Sequence, residues 1–413
     1  MSTRAVTSPP APEPSTPPLR HQPYEVAARW SPLARRVLCG HTSHLTHERW
    51  SFIAAQLQQG DVLADALVDW MHAYGMREAR GLVERALCHG SARLDPAILS
   101  QSEALSTFLD VVGEVPDWVD VDLIERGGRF LDRTHPAPYY VLRNMGLLAG
   151  YTWSDLNHPL LLTGALRSGA TRRVTQTMSW FSQAIHPHAL RPGERGHIDT
   201  IKVRLLHATV RRHLLTREDW DTHERGLPIN QTDMAATWLA FSVVLLLGLR
   251  MLGVPVSQGD AHAVMHLFKY ACWLMGVEVA WLTDDELDGR ALLFDILSTY
   301  RGPDESSAAL SRALADQTRE LEFSSFAPLN ALLWRVERSR HLGTAHLFLG
   351  PKGMLKLGLS PLHLPWYPCA IFGYNLMRGL LLDHVPSLQA PASARGLKAR
   401  EALMDQHWRA CRA

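Results

Sequence analysis

Cysteine is scarce in this chain of 413 residues: five, at Cys39, Cys88, Cys272, Cys369 and Cys411, with no C-x-x-C pair. So sparse and odd a set argues against a disulfide framework and reads as reduced thiols in a cytoplasmic protein. An excess of charge is missing too. Lys and Arg number 42 against 41 Asp and Glu, a formal charge of +1, so nothing argues for a nucleic-acid partner. No apolar run reaches the roughly 20 residues of a bilayer span. The greasiest, "MAATWLAFSVVLLLGL" at 234–249, stops at sixteen. It reads as a buried central helix, with peripheral contact to a membrane surface left open. Absent as well are G-x-S-x-G, a phosphate-cradling glycine loop and a dinucleotide fingerprint. There are no alternating β runs of useful length and no internal repeat.

What is present is helical periodicity in a chain that is 46% hydrophobic. "DVLADALVDWMHAYG" (61–75) and "MREARGLVERALCHG" (76–90) repeat apolar residues every three or four positions, and each ends at a glycine. Residues 115–133 have an Asp/Val-rich start followed by a helical pattern. Further helices are expected near 138–151, 170–185, 199–215, 231–252, 258–276, 284–300, 305–318 and 325–341. The expected fold class is all-α, a single large helical bundle over residues 25–390. A Pro/Ser/Thr-rich disordered lead (1–24) precedes it, and a less regular tail ending in a basic helix (391–413) follows. The linker "HPHALRPGERGH" (186–197) would let the helices on either side lie antiparallel.

The helix expected at 199–215 poses the chemical question. Val203, Leu206, His207, Val210 and Leu214 follow the spacing of one buried stripe, and Arg204 and Arg211 border it one turn to either side of His207. A core histidine bonded to a neighbouring helix satisfies this pattern. So does a haem ligand, because a haem needs one axial imidazole, an apolar slot and cations for its propionates. On the preceding helix Arg173, Thr177 and Trp180 form a mixed row, with Arg173 and Thr177 one turn apart and able to place a cation and a hydroxyl in one pocket.

From "GDVLADALVDWM" (60–71), "VPDWVD" (115–120) and "NHPLLLTGALRSGATRRVTQT" (157–177) through "VRLLHATVRRH" (203–213) to "WLAFSVVLLLGLRMLGVP" (238–255) and "VMHLFKYACWLMGV" (264–277), the chain resembles the MpaB-type oxygenases, which include the latex-clearing proteins (rubber oxygenases). The likeness covers about 50–280 and continues weakly at "LPWYP" (364–368). It implies a largely helical protein holding a b-type haem through one proximal histidine, here His207 between Arg204 and Arg211. The family's distal arginine and threonine match Arg173 and Thr177. At two positions the chain departs. The rubber oxygenases have a lysine where Gln176 stands, and Asn157 is the nearest match to their distal glutamate. An amide cannot take up a proton at neutral pH as a carboxylate does. The resemblance implies O₂ as co-substrate and a small hydrophobic alkene, such as a prenyl chain, as substrate.

Other signals compete. "TDDELD" (283–288) holds D-D-x-x-D at Asp284, Asp285 and Asp288, the pattern with which all-α terpenoid enzymes bind Mg²⁺ and diphosphate. The plainer reading is a helix capped by Thr283 with carboxylates in its first turn. A non-catalytic haem or lipid carrier would keep His207 alone. His41, His44 and His47 lie three apart but diverge on a helix, and His186 and His188 fall in a loop expected to be exposed.

Overall fold

The computed structural model describes residues 16–412, apart from 40–43, 91–94, 101 and 165–168. The described residues contain no strand, so the fold is all-α. The longer helices are α1 (Val62–Tyr74), α2 (Met76–His89), α3 (Glu103–Gly113), α4 (Val121–Arg133), α5 (Ala170–Ala184), α6 (Arg195–Leu215) and α7 (Gln231–Met251). They continue as α8 (Gln258–Leu274), α9 (Glu286–Ser298), α10 (Glu305–Asp316), α11 (Ala327–Lys356), α12 (Trp366–His384) and α13 (Gln389–Arg412). Many begin where a short polar side chain satisfies the free amides of the first turn. Asp61 accepts from the Ala64 amide, Ser102 from Leu105 and Ser257 from Asp260. α1 and α2 stop at Gly75 and Gly90, both at positive φ, as their sequence pattern implies.

The core has two parts. α1, α2 and α3 form a satellite cluster closed by Ile201 and Ala208 of α6. The main core centres on α7, where Leu239, Val243, Leu245, Leu246 and Leu249 are wholly buried. α7 is longer than its uncharged run and is, among the described residues, the one helix long and apolar enough to cross a membrane by length and composition. Around it α4 and α8 pack closely, because the Gly-Gly pair in "ERGGRF" removes two side chains where neighbours press in. A Cβ on Gly127 would sit 2.6 Å from the Ala263 carbonyl oxygen, and one on Gly128 2.5 Å from that of Ile185.

Several expectations change. The lead is ordered from residue 16 onward. Arg20 is buried with its guanidinium 2.9 Å from both Asp233 oxygens, and Gln22 bonds the Thr299 carbonyl; residues 1–15 lie outside the described set. The helix expected at 138–151 divides into an α turn (Ala137–Val141), a π-helical stretch (Leu142–Leu148) and a 3₁₀ turn (Ala149–Thr152). The side-chain amide of Asn144 donates to the Tyr140 carbonyl, the acceptor that the Asn144 backbone would use in an α-helix. α11 runs beyond 341 to Lys356, bending at Gly350. The tail is regular, its two helices α12 and α13 accounting for most of residues 366–412.

Burial lowers the pKa of His21, His135, His341 and His407 to about 4 each. The unfolded chain, with ordinary imidazoles, binds protons first as pH falls through about 6.5. It then holds more protons than the fold, so stability drops as pH falls from about 6.5 toward 4 and is retained above that window. The expected result is a melting temperature several degrees lower at pH 5 than at pH 7.5, followed by circular dichroism. An unchanged melting temperature would contradict neutral burial of these rings.

Candidate functional site

α6 is held by ionic rungs to α1. Asp61, Asp65 and Asp69 stand one turn apart along α1, and across from them are Arg204, Arg211 and Arg212 of α6. Arg204 places Nε 2.6 Å from Asp61 Oδ2 and Nη2 2.8 Å from Oδ1, a buried bidentate pair that also lies over the Phe108 ring. Arg211 pairs with Asp65 and donates to the carbonyls of Pro228 (3.1 Å) and Ile229 (2.7 Å). Both arginines are therefore on the buried face, with Ile201, Ala208 and Leu214, instead of bordering it. Leu206, expected inside, is 57% exposed. The sequence pattern misplaces the stripe because it counts only apolar residues, whereas here guanidiniums are buried against carboxylates. With their donors so engaged, neither Arg204 nor Arg211 offers an open fork to a propionate.

His207 lies between them and has no such partner. It is half-buried; its Nδ1 is sealed without a hydrogen bond, while Nε2, also unbonded, stays open. Burial first, then the nearby Arg211 charge, lowers its pKa to about 4 against the weaker pull of Asp61. It is a neutral imidazole with one nitrogen facing open space, the form in which histidine binds a metal.

What His207 faces follows from the register of α5 against α6. Trp180 donates to the Thr200 hydroxyl at 3.0 Å, and Gly196 abuts the Gln183 carbonyl. The two helices are antiparallel, as the linker suggested. Continuing that register brings Thr177 level with Val203, and Arg173 level with His207. Both rows share the faces of Trp180 and Thr200, since Arg173, Thr177 and Trp180 recur at i, i+4, i+7 and Thr200, Val203 and His207 at i, i+3, i+7. Beyond the Trp180–Thr200 pin these residues are only half-buried, so packing does not close this side of the two helices. Arg173 has no carboxylate partner. Its Nη1 lies 3.4 Å from the Tyr151 hydroxyl and its guanidinium 5.8 Å from the Tyr151 ring centre. The Thr177 hydroxyl makes no hydrogen bond.

Asn157 reaches this site only indirectly. Its fully buried amide donates to the Tyr151 carbonyl (3.1 Å) and to the hydroxyls of Ser306 and Ser307 (3.2 Å each), fixing the tyrosine that steadies Arg173. Tyr151 is the residue that sequence reasoning missed; its signal was only an aromatic just upstream of "SDLNHPL". Gln176 points to solvent.

The aspartate motif is dispersed. Asp285, not Thr283, caps α9, accepting from the Leu287 and Asp288 amides at 2.7 and 2.9 Å. Thr283 instead accepts from the Asp285 amide at 3.0 Å. Asp284 turns to Lys269 (2.5 Å) and to His266 (2.9 Å), whose bonds hold it at a pKa of about 2 despite burial. No group of three or more His, Cys, Asp or Glu side chains among the described residues could hold a metal ion. Of the histidine triplet, His41 lies outside the described residues, and His47 packs on Tyr24 and Trp50. His188 is exposed beside Glu125, while His186 is partly buried, not exposed.

Comparison with known proteins follows the same outline. Residues 133–379 match the family model described as "ER-bound oxygenase mpaB/B'/Rubber oxygenase, catalytic domain". The chain is 23% identical over 229 residues to the rubber oxygenase of Streptomyces sp. (strain K30), a match covering 54% of this chain and 56% of the relative. It thus spans little more than half the length of that curated relative. The structure of latex clearing protein LCP in the closed state superposes with a TM-score of 0.62 at 19% identity, covering 84% of this chain and 90% of the other. That likeness shows a shared fold.

Proposed function

The chain belongs to the MpaB and rubber-oxygenase catalytic-domain family, and from that premise we propose that it is a haem b-dependent oxygenase acting with O₂ on a hydrophobic alkene. One observation carries the haem: His207 presents a neutral, unbonded imidazole on a half-buried face of α6, level with Arg173 of α5, which has no carboxylate partner, and near Thr177, whose hydroxyl is unbonded. His197 on the same helix is bonded through both nitrogens, whereas both nitrogens of His207 are unbonded and Nε2 stays open, so His207 has a nitrogen available for an axial bond. Bound there, the haem would supply the dioxygen chemistry that no side chain provides.

The protein's part is positioning and charge. Arg204 and Arg211, tied to Asp61 and Asp65, hold α6 in place, and burial together with the Arg211 charge keeps His207 neutral. Arg173 has donors to spare and can stabilise negative charge that builds on an oxygen in the transition state. Thr177 adds a hydroxyl one turn away. The apolar flanks, Val203 on α6 and Phe241 stacked near Trp180 and Phe181, suit an unsaturated hydrocarbon. The five free thiols fit a cytoplasmic location.

The absorption spectrum of the purified protein tests the cofactor: a Soret band and one haem per chain are expected, and their absence after haem supplementation would reject it. Turnover of a prenyl alkene under O₂ then separates an enzyme from a carrier. Arg173→Ala should retain haem and slow turnover by about 10²–10³, the cost of removing one such donor. Equal turnover in the variant would remove Arg173 from the chemistry.

A further inference from the structure

We propose that the outer face of α12, together with the segment leading into it, docks on an anionic lipid surface. Pro368, Asn375 and Leu382 turn inward, Asn375 donating to the Leu252 carbonyl at 2.8 Å. The opposite stripe is apolar from end to end. Trp366 is 43% exposed, Tyr374 66%, Met377 69% and Leu381 53%, and the approach carries Leu362 and Leu364 at 85% and 75%. A helix packed on one side ordinarily puts its polar residues outward. Here the solvent side is as greasy as the packed one, and contiguous patches of that kind mark a surface that is covered in use.

Charge identifies the cover. Between Glu322 and Asp383 the chain has six Lys or Arg and a single carboxylate, Glu337. That carboxylate is partly buried and is occupied by Arg340, His341 and Tyr140. Lys352, Lys356 and Arg378 have no ion-pair partner. Three cations without an ion-pair partner thus lie on α12 or in the last turns of α11 before it, against one exposed carboxylate, Asp383, at the end of α12. A second copy of the chain would bring like charges together. An anionic bilayer surface accepts the apolar stripe among its acyl chains and the cations at its headgroups, with Trp366 and Tyr374 at the depth such rings prefer.

The test is co-sedimentation of the full-length protein with vesicles of phosphatidylcholine alone or mixed with phosphatidylglycerol. Binding should require phosphatidylglycerol and weaken with salt. Each cation near such a surface contributes about fivefold in partitioning, so Lys352→Gln with Lys356→Gln should weaken binding by tenfold or more. Met377→Glu with Leu381→Glu, both at exposed positions, should abolish it, while Leu33→Glu, exposed elsewhere, should not. Failure to sediment with the mixed vesicles, or equal binding by the Met377/Leu381 variant, would overturn the proposal. So would a dimer in sedimentation velocity that this variant dissolves, which would assign the face to a second copy. None of these readouts depends on haem.

Discussion

His207→Ala is expected to purify as a folded protein without stoichiometric haem, while His197→Ala keeps its haem and loses stability. The two histidines share α6 but not their surroundings. His197 donates through Nε2 to the Val112 carbonyl at 2.8 Å and is contacted at Nδ1 by the Gly193 amide. Removing it strands both groups, a cost of about 1–3 kcal/mol for each buried polar group left unpaired. His207 gives up no hydrogen bond when truncated, because it makes none. Haem stoichiometry by the pyridine haemochrome method, read beside circular dichroism, distinguishes the two behaviours. Full haem occupancy in His207→Ala would sink the assignment.

Breaking the Arg204–Asp61 pair should have the largest effect on stability. Both side chains are about 5% exposed, and Asp61 also caps α1, so Arg204→Met leaves a buried carboxylate beside Gly276 with no cation. Loss of one partner of a buried pair costs about 3–5 kcal/mol, and we expect that loss in urea-induced unfolding. Joint replacement, Asp61→Leu with Arg204→Met, should recover much of it, because the remaining charge is gone too. Unchanged stability with lost haem in Arg204→Met would instead return this guanidinium to the cofactor's propionates.

The strongly periodic helices were legible. α1, α2, α5 and α8 lie within a few residues of their sequence patterns, because amphipathic spacing and glycine stops act locally. The candidate site was legible in its members but not in their contacts. The R-x-x-H-x-x-x-R spacing singled out Arg204, His207 and Arg211, yet assigned the arginines to a ligand. Their partners lie in "GDVLADALVDWM", whose aspartates recur every fourth residue and match the arginines only once α1 and α6 are side by side. The same holds for Arg20, whose setting among Pro, Ser and Thr suggested disorder until Asp233 and Tyr300 came into view. α12 escaped because its apolar residues surround it, leaving no periodic contrast to read.

α13 sets the order in which the molecule can be completed. Arg400 is buried with Nε 2.8 Å from Asp132 of α4 and Nη1 on Ser182 of α5; His407 meets the Tyr139 hydroxyl at 3.2 Å, and Gly396 lets the backbone lie against α4. During synthesis α4 and α5 leave the ribosome long before the segment that covers them. Until residues 389–412 emerge, the helix carrying Arg173 and Thr177 is missing one of its supports, and Asp132 lacks its cation. Domains fold as units once their contacts are available. Completion of this region, and with it any loading of a cofactor, therefore waits until residues 389–412 have emerged and docked on α4 and α5.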